Sequence, residues 1–274
     1  MPRLRVSAIS FLNTAPLMWD FDHGELRREY EVDYTLPAIC AEMLRAGTAD
    51  IGIIPVAAYA SIPDLVVIPD IAIAARGPVR SILLISKVPV EQMRRVAVDT
   101  SSRTSVALLQ VLFNRYYMRA SALPEMIPMA PKLKTMLKAC DAALLIGDEA
   151  LLAAVASEKF QVLDLAAEWK RFTGKSFVFA FWAVRKGALE GSDPTSIVSA
   201  FQESRKHGLE PQNIQKTARE WSTRLGITEE EIISYLTKNI YYHLDRECME
   251  GLELFYKYAA ECGALERAPK VEFL

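Results

Sequence analysis

Short apolar runs alternate with segments of helical periodicity along the first two-thirds of the chain. The apolar runs are rich in β-branched residues and predict strands at residues 3–9, 50–55, 65–74, 81–86, 95–99, 142–146 and 177–184. The segments between them predict helices, such as residues 37–46, which Gly47 ends, and an amphipathic helix after the polar turn 100–105. Alternation of this kind indicates α/β layers with mostly parallel sheets.

After Gly187 the pattern changes to helices alone. Four helices are predicted. The first begins at Pro194 behind an Asp193 cap, and the second covers about residues 212–225. The third begins behind a capping box at Thr228, and the fourth covers about residues 246–262. We find no internal repeat and no low-complexity linker in the sequence. A chain with two lobes and no linker is expected to cross its waist more than once. The predicted crossings are the strands near 81–86 and 179–184.

Composition narrows the class of protein. The chain has 274 residues, of which 51% are apolar, which suits one large domain or two of ordinary size. Lys and Arg number 32 against 34 Asp and Glu, and this balance argues against a nucleic-acid surface. No apolar run is long enough for a membrane span, and the sequence starts with no apolar signal segment. Together with four widely spaced cysteines, these features predict a cytoplasmic protein with free thiols.

Four loops follow predicted strands, where ligands bind in open α/β sheets: residues 10–14, 55–59, 100–105 and 147–148. The loop 100–105 places several hydroxyl side chains and Arg103 before a helix. Backbone N–H groups there, with the hydroxyls of Thr104 and Ser105, would make an anion cradle, although ordinary helix capping explains one of the hydroxyls equally well.

Asn13 and Asp148 have a similar ambiguity. Either residue could cap a helix, and Asp148 could instead accept a hydrogen bond from a substrate hydroxyl.

Familiar catalytic patterns are absent from the sequence. It has no GxGxxG, GxxxxGK[ST], GxSxG or HExxH motif, which argues against nucleotide cofactors, serine hydrolases and zinc proteases. The three histidines have no carboxylate at useful sequence spacing, and no metal or cofactor is expected. The tryptophans Trp182 and Trp221 and the tyrosine-rich stretch 235–242 are predicted to be core.

Several sequence blocks, in order, carry a family resemblance. They are RV (5–6) and FLNTAP (11–16), GTADIGIIP (47–55), VRSILL (79–84), Asp99 and SRTS (102–105), LIGDEA (145–150), DL (164–165) and Trp169, and TG (173–174) and FVFAFW (177–182). Together they resemble the chorismate dehydratase family of menaquinone biosynthesis (MqnA). One departure is Lys175-Ser176, where a Leu-Pro-like pair is expected. The sister family, 1,4-dihydroxy-6-naphthoate synthase, is less similar because its Ser-Pro-Cys-Pro-Asn-Asp-like loop differs from Ser10-Phe11-Leu12-Asn13.

The resemblance implies an α/β protein of the type 2 periplasmic-binding-protein-like fold. Two α/β lobes would flank a central cleft, with a helical C-terminal tail, lobe 1 comprising 1–84 plus 183–274 and lobe 2 comprising 85–182. The implied reaction removes water from chorismate to give 3-[(1-carboxyvinyl)oxy]benzoate on the futalosine route to menaquinone. The alternatives are a non-catalytic cytosolic binder of small carboxylates and the sister naphthoate synthase.

The resemblance also implies which residues contact the substrate. Asn13 and Ser81 are expected to be catalytic, and the substrate-binding residues are expected to be Ser10, Pro55, Arg103, Thr104, Ser105, Gly147 and Asp148. Our hypothesis for the mechanism is that the enolpyruvyl carboxylate of the substrate itself takes the C3 proton. Asn13 and Ser81 would orient one carboxylate and the loop 100–105 would hold the other. Asp148 would contact the side of the ring that carries the hydroxyl.

Overall fold

Two five-stranded mixed sheets form the centre of the computed structural model, which describes residues 3–118, 122–155 and 159–274. The strands are β1 (Leu4–Ile9), β2 (Tyr30–Thr35), β3 (Ile51–Pro55), β4 (Leu65–Ala75), β5 (Ile82–Ser86), β6 (Arg95–Asp99), β7 (Glu125–Met129), β8 (Ala142–Ile146), β9 (Gln161–Asp164) and β10 (Phe177–Arg185). The first sheet has the order β2-β1-β3-β10-β4, and the second has the order β7-β6-β8-β5-β9.

Helices cover both sheets and make up the C-terminal part of the chain. They are α1 (Trp19–His23), α2 (Leu26–Glu29), α3 (Pro37–Ala46), α4 (Val56–Tyr59), α5 (Thr104–Leu112), α6 (Leu133–Ala139), α7 (Gly147–Val155), α8 (Leu165–Thr173), α9 (Pro194–Gly208), α10 (Pro211–Leu225), α11 (Glu229–Ser234) and α12 (Arg246–Glu261). Leu12–Met18 is a 3-10 helix, and Phe113–Tyr117 and Tyr235–Asn239 are π-helical turns. No helix of the described chain is long and apolar enough to cross a membrane.

Local sequence signals explain several helix boundaries. Gly47 adopts a φ of 73° at the end of α3, a left-handed conformation that favours glycine. The Asp193 side chain accepts hydrogen bonds from the first backbone N–H groups of α9, and Pro194 occupies its first turn. Thr228 forms the predicted capping box with Glu231 at the start of α11. These predicted boundaries are therefore confirmed.

The sheets are mostly parallel, as predicted, because four of the five strands in each sheet run in the same direction, but each sheet also contains one antiparallel strand that the sequence did not indicate. β10 runs antiparallel to both β3 and β4, and β5 runs antiparallel to both β8 and β9. Both are the first strand that the chain forms after it passes from one sheet to the other. β5 is buried along its whole length and β10 along nearly all of it, so the apolar pattern carries no information about their direction.

Two short connections join the sheets: residues 76–81 between β4 and β5, and residues 174–176 between α8 and β10. The strands β5 and β10, predicted to be the crossings, instead pair entirely within one sheet each. The lobe boundaries expected after residues 84 and 182 fall inside these two strands. Lobe boundaries that keep each sheet whole lie in the two connections, at residues 76–81 and 174–176.

The helix α12 fixes the second connection. It packs on β10 and α5, and Gly251 lies so close to this connection that a Cβ there would be 2.0 Å from the carbonyl oxygen of Ser176. The Ser176 hydroxyl donates to the Glu247 carboxylate at 2.6 Å, and Lys175 pairs with Glu250 at 2.8 Å. The C-terminal helical segment is thus attached to the segment that joins the two lobes.

Candidate functional site

A cavity of about 500 Å³, including the space at its mouth, lies between the two sheets. Residues at the carboxyl ends of β1, β3, β6 and β8 line it, together with parts of β4, β5 and β10. This is the edge where open α/β sheets bind ligands. The cavity is therefore the candidate functional site.

The walls of the cavity are mainly apolar. The apolar lining residues are Ile9, Phe11, Pro37, Pro55, Ile73, Val79, Ile82, Ile146, Phe179 and Ala180. The polar ones are uncharged apart from Arg103: Asn13, Ser81, Ser102, Thr104 and Ser105. Among the described residues that line the cavity, Arg103 is the single titratable side chain. The lining can thus donate neutral hydrogen bonds and pack against a ring, but it offers no general base.

Seven of the nine site residues expected from the sequence line this cavity. They are Asn13, Pro55, Ser81, Arg103, Thr104, Ser105 and Gly147. Ser10 and Asp148 lie outside the cavity, and both border an adjacent groove.

Asn13 is not a helix cap. Phe11 occupies the cap position of the 3-10 helix Leu12–Met18, and Asn13 lies inside its first turn. The weak contact at 3.4 Å between the Thr14 hydroxyl and the Asn13 side-chain oxygen leaves the amide facing the cavity. The capping interpretation of Asn13 is therefore wrong.

The start of α5 also lacks a side-chain cap. The cap residue Arg103 accepts no hydrogen bond through its side chain, and the first backbone N–H groups of the helix have no intrahelical acceptors. The Thr104 hydroxyl accepts the Ala57 N–H at 3.1 Å and donates to the Phe179 carbonyl at 3.2 Å, so it joins the two lobes. The Ser105 hydroxyl has no partner within the described chain. Helix capping thus explains neither hydroxyl.

Arg103 lies at the mouth of the cavity. Its guanidinium pairs with the carboxylate of Glu42 on α3, which belongs to the other lobe, and Glu42 also pairs with Arg45 at 2.6 Å. The hydrogen bond from Arg45, with help from Arg103, holds the pKa of Glu42 below its usual range. This ion pair closes one side of the cleft.

Asp148 makes a further contact between the lobes. Its Oδ1 accepts the backbone N–H of Leu12 at 3.0 Å. Burial raises the pKa of the Asp148 carboxyl to about 6, against the opposite effects of the Leu12 hydrogen bond and of Arg224. Gly147 beside it has a φ of 59°, and a Cβ there would be 2.6 Å from the Phe11 ring. Only a glycine allows this close approach.

The hydrogen bond between Tyr235 and Ser81 was not predicted from the sequence. The tyrosine-rich stretch was predicted to be core, and Tyr235 is indeed only 1% exposed. Its hydroxyl donates to Ser81 Oγ at 2.8 Å, although the two residues are 154 positions apart in sequence. No local signal connects them, because the contact depends on how the C-terminal helices dock on the lobes.

The histidines also differ from expectation, because each has a carboxylate partner that is distant in sequence. The pairs are His23 with Glu220 at 3.6 Å, His207 with Asp20 at 2.8 Å and His243 with Asp70 at 3.1 Å. None of the three lines the cavity. In the part of the chain that the structure describes, no group of three or more His, Cys, Asp or Glu residues could hold a metal ion.

Comparison with solved structures shows the fold. The protein AF1704 from Archaeoglobus fulgidus is similar, with a TM-score of 0.74 and 16% identity over 96% of this chain and 98% of that one. The periplasmic aliphatic sulphonate binding protein SsuA from Escherichia coli is similar with a TM-score of 0.63 and 16% identity over 98% and 95%. The Candida albicans CA3427 product, described as having the generic periplasmic binding protein fold, gives a TM-score of 0.60 and 13% identity over 98% and 92%. The periplasmic-binding-protein-like fold is thus confirmed.

Sequence comparison shows the family. The chorismate dehydratase of Thermus thermophilus is 33% identical over 276 aligned positions, which cover 94% of each chain. The model of the menaquinone biosynthesis family matches residues 4–261, nearly the whole chain. The resemblance carried by the sequence blocks is therefore confirmed, and the chain belongs to the menaquinone biosynthesis family.

Proposed function

We propose that the protein is a chorismate dehydratase, a hydro-lyase that converts chorismate to 3-[(1-carboxyvinyl)oxy]benzoate and water. The observation that carries this proposal is the 33% identity with a chorismate dehydratase over 94% of both chains. Chorismate is the proposed small-molecule substrate. A cytoplasmic location and the absence of nucleic-acid or membrane partners stay predictions.

The cavity suits a ring with two carboxylates. Its apolar walls can enclose the cyclohexadiene ring, and the uncapped start of α5 presents N–H groups beside the unpartnered Ser105 hydroxyl. A carboxylate accepting these groups gains charge-assisted hydrogen bonds of roughly 1.5–3 kcal/mol each. We place one substrate carboxylate at the start of α5 and the other beside Asn13 and Ser81.

The chemistry needs a base for the C3 proton and release of the C4 hydroxyl. The electron pair of the C3–H bond forms the C3–C4 double bond, the C4–O bond breaks, and the hydroxyl leaves as water with the proton. Because the described lining contains no carboxylate, histidine or lysine, the enolpyruvyl carboxylate of the substrate takes the proton in this proposal. Asn13 and Ser81 orient it. Neutral donors preserve its basicity, whereas a paired arginine would lower its pKa.

The aromatic product makes the proposal directly testable. Purified protein is incubated with chorismate, the ultraviolet spectrum is followed, and mass spectrometry checks for a product lighter by one water. Ser81→Ala should abolish most of this turnover, whereas the control Ser222→Ala, on α10 outside the cavity, should leave it unchanged. Tight calorimetric binding of chorismate without any aromatic product would contradict the proposal and favour the non-catalytic carboxylate binder.

A further inference from the structure

We propose that Tyr235 is a positioning residue that directs the hydroxyl proton of Ser81 into the cavity. This inference rests on the proposed function and assigns a role to a residue that does not itself line the cavity. Three observations support it: the direction of one hydrogen bond, the fixed backbone of Ser81, and the place of Tyr235 in the helical segment.

The direction of the hydrogen bond determines what the Ser81 hydroxyl can do. Tyr235 donates and Ser81 Oγ accepts, at 2.8 Å. A serine hydroxyl has a single proton, and Ser81 has no other side-chain partner in the described chain. Since Ser81 lines the cavity, its proton is free to be donated there. Tyr235 therefore makes Ser81 a donor toward a bound ligand.

The backbone of Ser81 is held from the other side. Its carbonyl accepts the Gly147 N–H at 2.8 Å, at the end of β8. The preceding residue, Arg80, has a φ of 63°, and its N–H donates to an Asp164 carboxylate oxygen at 2.6 Å. A non-glycine residue in this conformation is uncommon and needs surrounding contacts to hold it. The remaining freedom of Ser81 lies in the torsions of its side chain, and the hydrogen bond from Tyr235 restricts them.

Tyr235 is suited to act as a permanent donor. Burial raises the pKa of its hydroxyl far above neutral pH, although hydrogen bonds involving Ser81 and Asn13 act in the opposite direction. The phenol thus keeps its proton. Tyr235 also begins the π-helical turn Tyr235–Asn239, a distortion that is frequent at functional sites.

The test is a double-mutant cycle with Tyr235→Phe and Ser81→Ala. We expect Tyr235→Phe to lower kcat about tenfold with little change in KM, because the ring remains and only the orientation of Ser81 is lost. In the Ser81→Ala background the same change should alter kcat less than about twofold, since its target is gone. The matched control is Tyr256→Phe, another tyrosine that is 1% exposed and donates at 2.9 Å, but to the Val56 carbonyl. It should lose similar thermal stability and keep kcat.

Wild-type kcat in Tyr235→Phe would overturn the inference, and so would an equal loss in both Ser81 backgrounds. A fall in kcat of the same size in Tyr256→Phe would overturn it as well, since the effect would then follow from stability alone. If the wild-type protein forms no aromatic product, the proposed function fails. The same four-variant cycle on calorimetric binding of 3-hydroxybenzoate then decides the role of Tyr235: coupling to Ser81 supports it, and additivity overturns it.

Discussion

Replacing Asp148 by Asn should change how stability depends on pH. The carboxylate spans the two lobes through its hydrogen bond with the Leu12 N–H at 3.0 Å, and an amide oxygen can accept the same bond. The substitution therefore keeps the contact and removes the charge. The difference between variant and wild type in how the free energy of unfolding changes with pH then reports the ionisation of this one group.

The sign follows from the direction of the pKa change. Burial raises the pKa of Asp148 to about 6 in the folded protein, above the value of about 4 in an unfolded chain. The folded state thus holds this proton more tightly, and the stability that Asp148 contributes is lost as the pH rises from about 4 to about 6. The difference corresponds to at most about 3 kcal/mol, less what solvent screening removes. Asp148→Asn should escape this loss.

The assay is urea denaturation of wild-type protein and variant at pH 4.5 and pH 8. We expect Asp148→Asn to gain about 1–3 kcal/mol relative to wild type between these two conditions. Asp141→Asn is the control, because Asp141 accepts the N–H groups of Arg94 and Arg95, which hold its pKa below the usual range. Both the folded and the unfolded pKa of Asp141 lie at or below about 4, so this variant should keep a nearly constant difference in stability from wild type between pH 4.5 and pH 8. A constant gap between Asp148→Asn and wild type would refute burial of this carboxyl between the lobes.

Four further outcomes are expected. Asn13→Ala should lower kcat on the order of a hundredfold with little change in melting temperature, and near-normal turnover per folded molecule would contradict its role. In calorimetry, Ser105→Ala should weaken 3-hydroxybenzoate about tenfold but spare the matching benzamide, whereas Thr104→Ala should weaken both because it loses contacts between the lobes. Gly251→Ala should destabilise the protein by about 1–3 kcal/mol in thermal denaturation, since the Cβ would be 2.0 Å from the Ser176 carbonyl, and an unchanged melting temperature would be inconsistent with that packing. Turnover should survive exhaustive chelation, and loss with EDTA that one divalent metal restores would show that the reaction needs a metal.

The strands that the sequence missed share a position in the sheets. β2, β7 and β9 are edge strands with one paired neighbour each, and most of their residues are partly or fully exposed. Their apolar patterns are correspondingly weak, and Pro128 interrupts β7. The central strands and the edge strand β4 are mostly buried, and their long apolar runs made them predictable. The runs indicate a strand but not its direction, which is why the antiparallel direction of β5 and β10 could not be predicted.

The residues of the candidate site also divide into those that the sequence could predict and those that it could not. Loops that follow central strands could be predicted from strand ends alone, and seven of the nine expected residues line one cavity. Contacts between distant segments could not be predicted, including Tyr235 with Ser81 and each histidine with its carboxylate. Asp148 is an intermediate case: its loop was identified, but its hydrogen bond to Leu12 depends on how the two lobes approach each other.

In the sequence, the strands of the second sheet (β5 to β9) lie between β4 and β10 of the first sheet. This order has a consequence for synthesis on the ribosome. All strands of the second sheet lie in one continuous stretch, so that sheet can form before the first sheet receives β10 between β3 and β4. At typical elongation rates, β10 follows β4 by roughly 5–20 s. During that interval the apolar edges of β3 and β4 have no partner, and β4 also waits for its later bridges with Tyr241 and Phe273. The nascent chain is therefore most exposed to aggregation, and most in need of a chaperone, while its second lobe is being made.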